Sequence, residues 1–538
     1  MGNHREQRFL RSRAGVRAVI VAVALFFTYA FFYQAGGWNQ NSRFDLVRAV
    51  VEERTFRIDD YHTNTGDKAL IDGHYYSDKA PGLALISIPP VALARPVLDA
   101  VGIDSAGPKA LTLLTYLVTL LGVALPTALA AFGIFWLARR LGAGSAGATF
   151  AAVAFGIATP IWAYATLFWS HALTAALLFG GFAAAVSLRD RGSPRRDTLL
   201  GALVGLSVGW AVVSEFTAAI PAVLIAALAA KHVWVDRPDA PRARVLVAMV
   251  GGALVCGIVL LAHNTLAYGA PFELGYSHEV NFPQQNEGFF GVSVPDLSVL
   301  GEILFGRYRG LLYLAPVVAA APIGLYLLAK KRELWATVAV AALIPAYYLL
   351  VNAGYATWDG GWTYGPRFLA PAIPFLCFPL AFVWTRARVL LRLPLVALVL
   401  WGGALSLVAE STTVQPPDYY KEPVTQLLWP SFRDSRFSLN TLTFDEYGDE
   451  GPPLLSVEDG NDRAAWNVGE RLGIAGHASL VPLFLLWAAA AAAWWLVGRR
   501  RSPRSPRAPG PRVSAAAVPG PPATPVPAAP PSPRAGAP

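Results

Sequence analysis

Stretches of about 20 apolar residues recur from one end of this chain to the other, and that recurrence leaves few folds open. They fall at about 16–34, 109–138, 145–162, 169–188, 198–213, 217–230, 244–262, 310–329, 334–352, 367–385, 390–409 and 479–498. In lipid, a helix satisfies its own backbone hydrogen bonds and an open sheet does not. Charged residues are 15% of the 538, where a soluble domain carries about 25%. The reading is an all-α polytopic membrane protein of about 12 transmembrane helices.

Cationic clusters orient the spans. They are the N-terminal tail 1–15, Arg139-Arg140, Arg189 to Arg196, Lys231 to Arg244, Lys330 to Arg332, Arg386 to Arg392 and Arg499 to Arg507. Twelve spans and a cytoplasmic N-terminus place all of them inside. That count treats residues 81–98, interrupted by three prolines and an arginine, as a surface or half-inserted helix, because a full span there would export Arg139-Arg140. The core is then 16–409, with a large first extracytoplasmic loop, 35–108, that carries surface helices. Further outer segments follow at 163–168, Ser214-Glu215, 263–309 and 353–366. Residues 410–478 read as an extracytoplasmic loop or small lid, 479–498 as the last span, and 499–538, rich in Pro, Ala and Arg, as a disordered cytoplasmic tail.

The net charge of +9 is explained by loop arginines that fix orientation and meet anionic head groups, and no nucleic-acid motif is present. Cys256 and Cys377 lie in apolar runs, without disulfide or metal spacing. The N-terminal apolar run is longer than a signal h-region and lacks a clear cleavage site, so it reads as a retained helix.

Residues able to do chemistry crowd the first loop. Asp45, Asp59, Asp60, His62, Asp67, His74, Tyr76, Asp78 and Lys79 lie there. A carboxylate near the lipid surface can act as general base on a hydroxyl, and neighbouring cations can stabilise a departing phosphate. The plain alternative is that loops are polar because they face water. Asp78-Lys-Ala-Pro-Gly82 turns back into the membrane and holds its charges at the depth of a lipid phosphate. A second candidate is Tyr355 to Arg367, with Trp358, Asp359, Trp362 and Tyr364 able to stack on a sugar or to form an interfacial belt. Arg307, Arg309 and Arg367 are cations on the outer side, where orientation rules disfavour them and an anion would explain them, as would snorkelling anchors. His171 and Glu215 are ionisable groups at span ends, and His278 and Glu279 carry a weaker signal. No zinc spacing occurs. Asp59, Asp60 and His62 could offer donors to a divalent cation, and no other cofactor is expected.

These residues resemble the GT-C membrane glycosyltransferases, in the bacterial branch near protein O-mannosyltransferases and aminoarabinose transferases, the glycosyltransferase 39 type. The resemblance lies in the loop after the first helix and in four segments: Phe44-Asp-Leu-Val-Arg-Ala-Val-Val-Glu52, Tyr75-Tyr-Ser-Asp-Lys-Ala-Pro-Gly82, Leu137-Ala-Arg-Arg-Leu-Gly142 and Gly365-Pro-Arg-Phe-Leu369. It covers roughly residues 15–400. It implies a GT-C-like fold and inverting transfer of a sugar from a polyprenyl-phosphate carrier to a glycan, lipid or protein acceptor, at the outer face of a bacterial plasma membrane. The family's base best fits Asp45, with Asp59 or Asp60 as alternatives. The family usually carries Asp-Glu a few residues earlier, where this chain has Asn39-Gln40-Asn41. Asp78 and Lys79 match the family's acid–lysine pair, which assigns Lys79 to the carrier phosphate with Arg367 assisting. Arg307 and Arg309 are further phosphate candidates; Asp78, Tyr76, His171, Trp358, Asp359, Trp362 and Tyr364 are substrate candidates.

Two rivals differ in class. A transporter or flippase needs polar residues near the bilayer midplane, and here they crowd one face. A non-catalytic envelope scaffold would tolerate replacement of the loop acids.

Overall fold

The computed structural model describes residues 9, 12–282, 284, 291–445, 463–499, 524–531 and 536. Two compact units are distinguished, Met1–Gly498 and Arg499–Pro538. In the second, residues 524–531 and 536 carry no helix or strand, and most of the tail expected to be disordered lies outside the described residues.

The first unit is a helical membrane architecture. Among the described residues, eleven helices are long and apolar enough to cross a membrane, and two shorter apolar helices, Ser145–Ile157 and Pro316–Ala329, accompany them. Every one of the twelve expected runs contains a helix. Two come out short for a local reason. The run at 145–162 breaks before Pro160, and that at 310–329 breaks at Pro316, which cannot donate to the turn behind it. The 33-residue helix Pro108–Arg140 instead absorbs Pro126 by widening into a π-turn at Leu120–Ala124.

The eleventh long helix is Gly82–Ala100, the segment expected to lie at the surface. It is continuous through Pro89, Pro90 and Pro96. Both of its ends meet the first loop. Arg43 of Trp38–Arg48 donates to the Ala80 carbonyl at 2.7 Å, and Glu52 just beyond that helix pairs with Arg95.

Close helix contact is set by small residues. Gly201, Gly205 and Gly209 lie four apart on Pro194–Ser214, and Arg242–Tyr268 packs directly on that stripe. A methyl group on Gly205 would overlap the Met249 carbonyl oxygen.

Two small sheets order the loop side. Lys68–Ile71 pairs antiparallel with His74–Ser77. Asp72 and Gly73 close the hairpin with φ of 51° and 80°, the left-handed pair a two-residue turn requires. Phe32–Tyr33 pairs with Trp466–Asn467, tying the end of the first helix to the segment before the last. Of the expected lid at 410–478, residues 446–462 lie outside the described ones. The described part is bound to the first loop: Asn440 donates to the carbonyls of Gln34 and Gly36 at 2.6 and 2.9 Å. At the far end of the bundle the cationic clusters meet, with Arg140 on Asp190 at 2.8 Å and Lys331 on the Leu141 carbonyl at 3.1 Å.

Candidate active site

The hairpin delivers Ser77, Asp78 and Lys79 to the point where Gly82 begins its helix. Gly82 has no side chain because the backbone of Ser214 lies against it; a methyl there would come within 2.7 Å of the Ser214 nitrogen. This approach brings the Asp78-Lys79 turn beside Glu215. Lys79, 6% exposed, places Nζ 2.5 Å from Asp78 Oδ2 and 3.1 Å from Asp67 Oδ2. Burial works against its charge, but Asp67 and Asp78 more than offset that and hold the ammonium above its ordinary range. Glu279 is buried in the same group. Burial first, and then the Asp78 charge, push its carboxyl well above the usual range and favour its protonated form. The Tyr276 ring lies 5.7 Å from Lys79 Nζ. Ser42, on the loop helix, shares a hydrogen bond with Ser77 at 2.8 Å.

Arg43 links this turn to a second knot of charge. Its Nη1 donates to Ala80, its Nε to Asn39 Oδ1 at 3.1 Å, and its Nη2 meets Glu215 Oε1 at 3.3 Å. Glu215 also accepts from Ser170 Oγ and lies 3.3 Å from His171 Nδ1. Burial alone would raise its carboxyl; His171, Arg43, Ser170 and Arg367 together hold it below the ordinary range. Arg367 opens the helix that follows the aromatic segment. Its guanidinium lies 5.2 Å over the Trp169 ring and 4.9 Å from Phe368. Among the described residues it has no hydrogen bond or ion pair, and its Nε is buried without a partner. Trp169 is itself fixed by donating Nε1 to Gln40 Oε1 at 2.7 Å. Asn39 and Gln40, standing where the resembled family has acids, thus position Arg43 and the platform under Arg367.

Of the residues singled out in the sequence, Asp78, Lys79, His171 and Arg367 converge with Glu215 and Glu279. Asp45 lies on the same helix, one turn beyond Ser42. It is fully buried, accepting from Asn64 Nδ2 at 3.1 Å. Tyr76 packs edge-on against the Tyr268 ring. Asp59 is half-exposed and braces the hairpin, accepting from the Tyr75 N–H at 2.6 Å and meeting His74 at 2.8 Å; Asp60 is exposed. The aromatic segment is held from below. Arg309, fully buried, donates to the carbonyls of Asp359 and Gly361 at 2.9 and 2.6 Å, and Tyr308 donates to the Asp359 carboxylate at 3.1 Å. Arg307 is exposed and pairs with Glu422 at 3.2 Å. Trp358 and Trp362 are half-buried, whereas Tyr364 is buried in the core, its carbonyl accepting from Tyr164. Arg43, Ser170 and Tyr276 belong to the cluster and carry no local sequence signal, because their neighbours come from distant spans. Among the described residues, no group of three or more His, Cys, Asp or Glu is arranged to hold a metal ion.

No protein-family profile matches the chain, and no curated protein does. Among solved structures, the crystal structure of ArnT from Cupriavidus metallidurans bound to undecaprenyl phosphate aligns with 13% identity and a TM-score of 0.45. The apo structure of the same protein aligns with 13% identity and a TM-score of 0.43, and each alignment covers 90% of this chain and 75% of the other. At that identity and score the likeness transfers neither activity nor ligand.

Proposed function

We propose that this chain is a GT-C-type glycosyltransferase that moves a hexosyl or pentosyl unit from a polyprenyl-phosphate carrier to a glycan, lipid or protein acceptor at the outer membrane face. The observation that carries the reading is the buried charge cluster at the loop–membrane junction, where Lys79 is pinned by two carboxylates and Arg367, among the described residues, makes no hydrogen bond or ion pair. A cation kept at membrane depth without a direct ion pair favours an anionic ligand. Together Lys79 and Arg367 suit the phosphate of a lipid-linked sugar, with the half-buried Trp358 and Trp362 beside Asp359 available to the sugar.

In the reaction, an acceptor oxygen forms a bond to the anomeric carbon as the bond from that carbon to the carrier phosphate breaks. The acceptor proton passes to a carboxylate, the bonding electrons leave with the phosphate, and the anomeric centre inverts. Lys79 and Arg367 stabilise the charge gathering on the leaving phosphate. We assign the base to Asp45, on the buried loop helix, whereas Asp59 and Asp60 lie toward solvent. A second reading gives this role to Glu215, which shares the cluster with Arg367. Transfer from a labelled lipid-linked sugar into membrane acceptors distinguishes them. Loss of about 100-fold or more in Asp45→Asn with Glu215→Gln retaining turnover supports the first. The reverse pattern moves the base to Glu215. Full transfer by Lys79→Met and Arg367→Gln removes the phosphate clamp and with it the proposal.

A further inference from the structure

A cavity of about 490 Å³ lies in the membrane-spanning part of the molecule, between the first helix, Ser145–Ile157 and the last helix. That volume is within the range of small-ligand sites. Its wall runs from Ala146 to Ile157, twelve residues of helix with a rise of about 16 Å, close to the depth of one leaflet's hydrocarbon, about 15 Å. The walls are aliphatic and aromatic. Two indole N–H groups at its edge are already satisfied, Trp487 by Thr28 and Trp494 by Thr149, both at 2.9 Å, so the cavity is faced by ring surface. The indole N–H of Trp384, also in the lining, has no hydrogen-bond partner among the described residues, but the remaining walls are apolar and suit a hydrocarbon chain.

One end of the slot is cationic. Arg17 lies 3.9 Å over the Trp494 ring, and Arg392 lies 5.3 Å from the Trp384 ring. Trp384 stacks on Phe150 at 4.5 Å, and Trp494 bonds the adjacent Thr149, so both arginines are at the same end. Neither has an acidic partner among the described residues, and Arg392 Nε is buried without a hydrogen bond. Each also stands in the first turns of a long helix, Arg13–Ala30 and Val389–Thr412, whose N-termini add positive potential.

We propose that this slot binds an anionic phospholipid, with one acyl chain along Ser145–Ile157 and the phosphate held by Arg17 and Arg392. Basic pockets between membrane helices are suited to such head groups. The inference is independent of the sugar-transfer reading, whose residues lie at the loop side. The test is native mass spectrometry of the full-length protein, released from detergent containing either dioleoyl phosphatidylglycerol or dioleoyl phosphatidylethanolamine. Wild type is expected to retain one phosphatidylglycerol and to release phosphatidylethanolamine. Arg17→Gln with Arg392→Gln is expected to weaken retention about 30-fold. Ala491→Trp, which fills the slot and removes no charge, is expected to abolish it, and this variant decides the matter should the charge variant fail to fold. Equal retention of both lipids, retention unchanged in Ala491→Trp, or retention of polyprenyl phosphate in place of phosphatidylglycerol would overturn the proposal.

Discussion

Replacing Arg43 by alanine tests the wiring between the two halves of the charge cluster. The guanidinium is 2% exposed and is the link that touches Asn39, Ala80 and Glu215 together. Without it the Glu215 carboxylate, 9% exposed, keeps its contacts to Ser170 and His171 and the more distant charge of Arg367. Leaving one member of a buried pair behind costs about 3–5 kcal/mol. At 1.4 kcal/mol per tenfold, that is roughly two to three and a half orders of magnitude in the unfolding equilibrium. Neutralising the abandoned partner relieves part of it, so Arg43→Ala with Glu215→Gln is expected to regain about 2 kcal/mol relative to the sum of the single changes. The sign with pH follows from the depressed carboxyl. The pair's contribution is present above the unfolded glutamate value and is lost as pH falls through the lower folded value. The gap between wild type and Arg43→Ala therefore narrows below about pH 4. Denaturant unfolding in detergent, followed by tryptophan fluorescence from pH 3.5 to 8, measures all three quantities. Additive single costs, or a gap that does not change with pH, would refute the linkage.

Two other perturbations probe different layers. Gly205→Val forces a side chain into the Met249 backbone and is expected to cost at least about 1–3 kcal/mol, whereas Gly257→Ala, which meets open space, should be near neutral; thermal midpoints in detergent compare them. Glu279→Gln is expected to be closest to neutral below about pH 4, under the unfolded glutamate value, and increasingly stabilising as pH rises toward 9. A carboxyl raised above its unfolded value loses its contribution as pH climbs, and glutamine has no proton to give up; midpoints that track wild type at every pH would contradict this.

The helices were legible because lipid removes the usual ambiguity: an apolar run of this length has one way to satisfy its backbone. Where length came out differently, a proline decided it, Pro160 and Pro316 cutting two runs short while Gly82–Ala100 carried three prolines without breaking. The spacing of Gly201, Gly205 and Gly209 was equally present in the sequence but is masked inside an apolar run, where only the partner helix gives it meaning. At the candidate site, Lys79, Arg367, His171 and Glu215 stood out as charges at span ends. Arg43 did not, since an arginine in a polar loop looks solvated until Gly82 docks on Ser214, more than a hundred residues away. Arg309 and Tyr364 illustrate the converse. Each has the composition of a ligand contact, yet the structure commits Arg309 to loop carbonyls and packs Tyr364 in the core.

The central claim is that Lys79 and Arg367 together hold a lipid-linked phosphate. Equilibrium binding of a radiolabelled polyprenyl phosphate to the purified full chain addresses it without requiring the sugar or the acceptor to be known. The account predicts saturable binding that falls at least about tenfold in Lys79→Met and in Arg367→Gln, while the exposed Arg307→Gln binds as wild type. Undiminished affinity in both cluster variants, or an equal loss in all three, would contradict it.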